Sequence, residues 1–225
     1  MVRVSNPPEN PFASGDADKP ISEPIRHHAI SARVPERVAR GVYSTGQLVL
    51  DGPKEFVIDF LQGLTRPFQI NARVVMTPST MSEFVNALTQ NLENYTRTFG
   101  NPPPLPIPQP HQRPTIQEIY DNYKLPDELM SGSYSNQVLI GHSATEFFFD
   151  FITGFYPTPA ISARVYIPAA VVPRFLTTIK TCVEQYRKRF GDHALRDPQP
   201  PRTDERPEEP GNPPRPPENP PSTFG

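Results

Sequence analysis

The chain contains its own sequence twice. Displaced by 91 residues, the stretch starting at Gly41 falls on the stretch starting at Gly132, and the register runs without a gap to Gly100 and Gly191. Identical pairs recur throughout: Tyr43/Tyr134, Ser44/Ser135, Glu55/Glu146, Phe56/Phe147, Asp59/Asp150, Phe60/Phe151, Arg73/Arg164, Phe84/Phe175, Tyr95/Tyr186 and Phe99/Phe190. Sixty aligned positions without an insertion mark a tandem duplication. A unit of about 60 residues buries too little surface to be comfortably stable alone, so the two copies are expected to share a core.

Each copy reads as three strands followed by a helix. The first strand is expected over 43–50 and 134–140, ended by Asp51-Gly52 in one copy and by Gly141-His142-Ser143 in the other. The second, 55–61 and 146–152, alternates Phe56, Ile58 and Phe60 against Glu55, Val57 and Asp59. The third covers 70–76 and 161–167. Thr77-Pro78 offers a cap and a first-turn proline for the helix, and Gly100 and Gly191 stop it. Phe84, Leu88, Leu92, Tyr95 and Phe99 form one apolar stripe, matched by Phe175, Ile179, Val183, Tyr186 and Phe190. The fold class expected is α+β: tandem strand–strand–strand–helix repeats with antiparallel sheet, packed as an intrachain pseudo-dimer with a helix covering each copy.

Proline marks where the copies end. Of 32 prolines in 225 residues, eleven lie in 198–225, seven in 101–114 and six before residue 36. The resulting division is an extended or disordered arm (1–33), repeat 1 (34–100), a linker with a short helix (101–124), repeat 2 (125–193) and a disordered tail (194–225). The linker, read as polyproline at roughly 3.1 Å per residue, spans on the order of 40 Å. Thr115 and Glu118 form a capping-box pattern opening a helix with Tyr120 and Tyr123, expected over the joint between the copies. The tail echoes PPENP from 7–11 at 216–220 and lacks apolar residues to bury. Such a segment either solubilises the chain or docks into an aromatic groove of a partner.

The order Tyr134-Ser135-Asn136, Glu146-Phe147 with Asp150-Phe151, Ala163-Arg164-Val165 and Tyr186 with Phe190-Gly191 resembles a family of small bacterial and archaeal proteins catalogued as a domain of unknown function. The first copy departs from it only in carrying Thr45 in the asparagine position. Members usually carry one unit, so the resemblance implies a fused pair; it implies no activity. The order of strands and helix is also loosely similar to that of SecB export chaperones, which would imply polypeptide binding.

The most specific polar group is Glu55, Asp59 and Arg73, repeated as Glu146, Asp150 and Arg164. Adjacent strands can set Arg73 opposite Asp59, and Arg164 opposite Asp150, as bidentate pairs. These pairs either fix strand register or offer arginines to a carboxylate or phosphate. The basic run Arg187-Lys188-Arg189 suits a helix C-terminus or, as a lesser alternative, nucleic acid. His27, His28, His111, His142 and His193 have no histidine counterpart in the other copy, so no metal site is expected. Cys182 faces Asn91 in the register and reads as a packing residue.

A net charge of −2 gives no global basic field, no apolar run is long enough to span a bilayer, and no signal peptide is evident. We therefore expect a non-enzymatic cytoplasmic module that binds a protein partner or assembles, without a cofactor and without membrane insertion. Nucleic acid is the less favoured partner, and further homo-oligomerisation is left open.

Overall fold

In the computed structural model, residues 32–106, 114–155 and 157–196 are described. Residues 1–31 of the arm, 107–113 of the linker and 197–225 of the tail lie outside the described residues, and with them the expectations of disorder there and of a fully extended linker; the start of the expected tail is instead ordered, a 3-10 turn over Asp192–Leu195 that buries Leu195.

Alternation sets the strands. In β3 (Phe56–Gln62) and β4 (Gln69–Met76), Phe56, Ile58, Phe60, Ile70, Ala72, Val74 and Met76 are buried. Their counterparts Phe147, Phe149, Phe151, Ile161, Ala163, Val165 and Ile167 do the same in β7 (Glu146–Thr153) and β8 (Ala160–Pro168). β2 (Gly46–Asp51), β3 and β4 form an antiparallel meander, as do β6 (Gln137–His142), β7 and β8. After a one-turn helix α1 (Glu36–Ala39) ahead of the strands, the helix α2 (Pro78–Phe99) starts where the Thr77 hydroxyl accepts a bond from Thr80 N at 3.2 Å, with proline in the first turn where its missing N–H costs nothing. The second copy lacks that cap. Its helix α4 (Val172–Phe190) continues from a 3-10 turn at Ala169–Val171.

The copies are interlocked rather than merely packed. Each expected first strand splits in two. β1 (Val42–Tyr43) leaves its own copy and pairs in parallel with β8, Val42 beside Val165; β5 (Ser133–Ser135) pairs in parallel with β4, Val74 beside Ser133. The two sheets therefore run β1-β8-β7-β6 and β2-β3-β4-β5. The split falls at Ser44 and Ser135, both fully buried. The Ser44 hydroxyl bonds the Gly46 and Leu61 carbonyls, and the Ser135 hydroxyl bonds those of Gln137 and Ile152. A buried hydroxyl must find such acceptors, and here they lie where the chain passes from one sheet to the other.

A helix covers each copy, as expected, but the helices are exchanged, each lying on the sheet of the other copy. α2 packs on β6 and α4 on β2. Phe84 of α2 meets Phe149 and Phe151 edge-on at 5.8 and 5.9 Å, and Tyr186 of α4 lies 5.1 Å from Phe56. Both helix tyrosines reach the opposite hairpin: Tyr95 donates to the Ala144 carbonyl and Tyr186 to that of Pro53, each at 2.7 Å. Both sheets and both helices thus contribute to one core. Each buried phenylalanine is worth about 1.5–3 kcal/mol, and its partners belong largely to the other copy. The stripe of α2 is buried at Phe84, Leu88 and Tyr95, while Phe99 stays 47% exposed at its end.

The α3 helix (Ile116–Asn122) has the expected capping box, with Thr115 and Glu118 bonded reciprocally. It packs on the outer face of the first sheet and not over the joint between copies. There Tyr120 reaches Asp59 and Arg73, and Tyr123 stacks on Phe68 at 5.4 Å.

Repeat 1 produced alone, residues 34–100, has no partner for β1 or α2. It should be unfolded or a concentration-dependent homodimer in sedimentation, and a well-folded monomer would refute the exchange.

Candidate functional site

The two acid–arginine pairs have the geometry that the register requires. β3 and β4 set Asp59 directly opposite Arg73, and β7 and β8 set Asp150 opposite Arg164. Arg73 Nε and Nη2 donate to the two Asp59 oxygens at 2.7 and 2.8 Å; Arg164 repeats the fork on Asp150 at 2.6 and 2.7 Å. The remaining arm of each guanidinium is also used. Arg73 Nη1 donates to the Met130 carbonyl at 3.1 Å and Arg164 Nη1 to the Ala39 carbonyl at 3.3 Å. Those carbonyls belong to the chain entering β5 and β1. Each arginine therefore ties the incoming strand of one copy to the sheet of the other.

Glycine permits the approach. Gly41 and Gly132 have φ of +65° and +71°, a region that favours glycine. A Cβ at Gly132 would stand 2.7 Å from Val75 and 3.0 Å from the Arg73 stem; at Gly41 it would meet Tyr166 at 2.5 Å and Arg164 at 2.8 Å.

The pairs differ in what surrounds them. Asp59 is fully buried and accepts a 2.6 Å bond from the Tyr120 hydroxyl, which in turn accepts from Arg73. Burial, with the neighbouring Asp59 carboxylate, pushes the Tyr120 phenol up to about 12. Both guanidinium pKa values are raised, chiefly by the hydrogen-bonded aspartate; at Arg164 the neighbouring Tyr166 adds to the effect. Glu55, expected on the same face, precedes β3 and closes the turn instead, its carbonyl accepting from Gly52 N at 2.9 Å.

A cavity of about 180 Å³ lies between the copies, lined among others by the equivalent pairs Asn71/Ser162 and Arg73/Arg164, with Arg37 at its side. Both arginines there already hold a carboxylate and a carbonyl, which leaves little of their charge for a bound anion.

The basic helix end is also largely neutralised. Arg187 pairs with Asp192 at 2.8 Å and Arg189 with Asp51, leaving Lys188 exposed beside them. Burial pushes the Cys182 thiol up, the opposite of an activated nucleophile. Among the described residues no three His, Cys, Asp or Glu side chains are grouped to hold a metal, and no helix is long and apolar enough to cross a membrane.

The outer face of the second sheet carries a feature that periodicity did not single out. One row across the strands holds Tyr43, Tyr166, Phe148 and Gly141, each register-paired with the next. A Cβ at Gly141 would come 2.3 Å from Phe148, so the glycine leaves room for the ring. These rings line an open groove of about 410 Å³ with His142, Ser143 and Glu146. Tyr43 is 42% exposed. The equivalent row of the first sheet is Tyr134, Val75, Val57 and Leu50. The signal was present in the repeat register, where Val57 faces Phe148, Val75 faces Tyr166 and Leu50 faces Gly141.

Arg73→Ala strands a fully buried carboxylate and should cost about 3–5 kcal/mol in denaturant unfolding. Arg164→Ala should cost less, because Asp150 and Arg164 keep some contact with water. Replacing Asp59 and Arg73 together by apolar residues should recover most of the loss. Tyr120 ionises near 10 when unfolded and near 12 when folded, so its contribution is complete below about pH 10 and is lost as pH rises through about 12. Tyr120→Phe should flatten the stability profile in that window, read by denaturant titrations at stepped pH.

No curated protein matches the chain. A family model matches it twice, over residues 11–118 and 109–195, each match taking in one repeat. The interlocked copies are thus two units of one family, and the chain belongs to DUF3467, described as a protein of unknown function.

Proposed function

We propose that the chain is a non-catalytic binding module whose working surface is the aromatic groove of the second sheet. The observation that carries this reading is the divergence between copies. The fold is satisfied by Val57 and Val75 on one sheet, whereas the other sheet places Phe148 and Tyr166 at the same positions beside an exposed Tyr43. Aromatic rings supply large contact area with little conformational entropy to lose, and tyrosine adds a polar handle.

The chemistry favours an extended polypeptide as ligand. Three rings in a row form an open apolar strip rather than an enclosed pocket, and Glu146 and Ser143 offer polar contacts at its end. This is the kind of surface that receives an extended peptide in a groove. A catalytic reading finds less support: the acid–arginine pairs are mutually neutralised and the one cysteine is not activated. Arg187 and Arg189 are engaged with acids, which weakens the case for nucleic acid. The cytoplasm is the location we assign to this module.

A photo-crosslinking side chain at position 148 of the full chain, in cells, should give a discrete adduct that is lost in Tyr166→Val. The same side chain at position 57, the sister site, serves as control. Equal labelling at both sites, or none at 148, would remove the groove from consideration.

A further inference from the structure

We infer that the groove formed by Tyr43, Tyr166 and Phe148 receives the proline-rich tail of this same chain, through residues 213–217, Pro-Pro-Arg-Pro-Pro. The inference rests on the reading of the groove as a binding face and names its occupant.

Spacing is the first argument. Tyr43, Tyr166 and Phe148 stand on three adjacent strands, so the outer two are separated by two strand spacings, roughly 9.6 Å. A polyproline II helix has three residues per turn at 3.1 Å each, so prolines at i and i+3 recur about every 9.3 Å along one ridge. Pro214 and Pro217 have that spacing, and Pro220 continues the ridge. One proline over each outer ring, with Tyr166 between them, matches the row without distortion. Proline also arrives with much of its conformational freedom already removed, which suits it to a shallow aromatic surface.

Charge is the second. Arg215 sits between the two proline pairs, and Glu146 lies on the same strand face as Phe148, two residues away. The Glu146 carboxylate accepts from Ser143 and Thr145, and a carboxylate has acceptor capacity beyond those two bonds. Pairing it with a guanidinium fixes the direction of the peptide along the row. The other dense proline runs lack this combination: neither 7–11 nor 102–106 has an arginine flanked by prolines.

Reach is the third. The described chain ends at Arg196, eighteen residues before Pro214. As polyproline that is about 55 Å, more than the roughly 40 Å expected across a domain of this size. Intrachain docking then benefits from an effective concentration on the order of millimolar, so a weak contact suffices. Docked, the tail occupies the surface that a partner's proline-rich segment would otherwise use.

The test uses two full-length chains with labelled aromatic rings and valine methyl groups: the natural one, and one with Pro213, Pro214, Pro216 and Pro217 replaced by alanine and Arg215→Glu. The ring resonances of Tyr43, Tyr166 and Phe148 should differ between the two, while the methyl signals of Val57 and Val75 should not. A synthetic peptide of residues 207–221, at up to about 1 mM, should return the rings of the altered chain to their natural positions. It should fail to bind when that chain also carries Phe148→Val and Tyr166→Val, the residues of the sister copy, with the melting temperature unchanged. Identical ring signals in the two chains overturn the inference. So does a shift in the natural chain that fades on dilution, since the tail would then come from a second copy. If the crosslinker at 148 captures a separate protein while the rings ignore the tail, tail docking fails and the binding face stands.

Discussion

Everything in this molecule depends on the chain changing sheets at Ser44 and Ser135. A copy kept to itself would have a three-stranded meander without the helix that covers it here, since that helix comes from the other copy. By sending β1 and α2 to the second sheet, and β5 and α4 to the first, the duplication converts two undersized units into one core. The same exchange explains why each arginine has two tasks. Its fork holds the aspartate across the strand pair, and its free arm holds the backbone that arrives from the other copy. Register and interlock are therefore secured by one side chain.

Much of the local structure was legible because it rests on short-range rules. Alternation at Phe56, Ile58 and Phe60 gave the buried face, Thr77-Pro78 gave the helix start, and the Asp59–Arg73 pairing followed from strand adjacency. The exchange was not legible, for a physical reason. Both copies offer the same apolar pattern to β1 and to the helix, so periodicity says which face is buried but not in which copy its partner lies. Ser44 and Ser135 were the available hint, as small polar residues inside an apolar strand that require buried acceptors. The aromatic row is not legible from alternation, which treats an outward Phe148 and an outward Val57 alike.

The copies agree inside and disagree outside. Around the first pair, Tyr120 arrives from α3 to cover Asp59; around the second, Tyr166 stands beside Arg164 from two residues along the same strand. These are two solutions to one requirement, shielding a charged pair on the outer sheet face. They leave different surfaces behind. Covering the first pair with a helix places polypeptide over that face, while covering the second with a strand residue leaves a ring in the open row.

That difference also bears on which part of the sheets is suited to a partner. The exchanged strands β1 and β5 are two and three residues long, too short to template an added strand, and β2 and β6 have helices packed against them. Main-chain pairing at β1 or β5 therefore has little room. A sheet face needs no free backbone groups, only side chains that tolerate exposure and lose little entropy on contact. Tyr43, Tyr166 and Phe148 meet that condition on the second sheet, and the valines at the sister positions leave the core arrangement the same. Duplication thus lets one copy's outer face diverge while the shared core continues to constrain both.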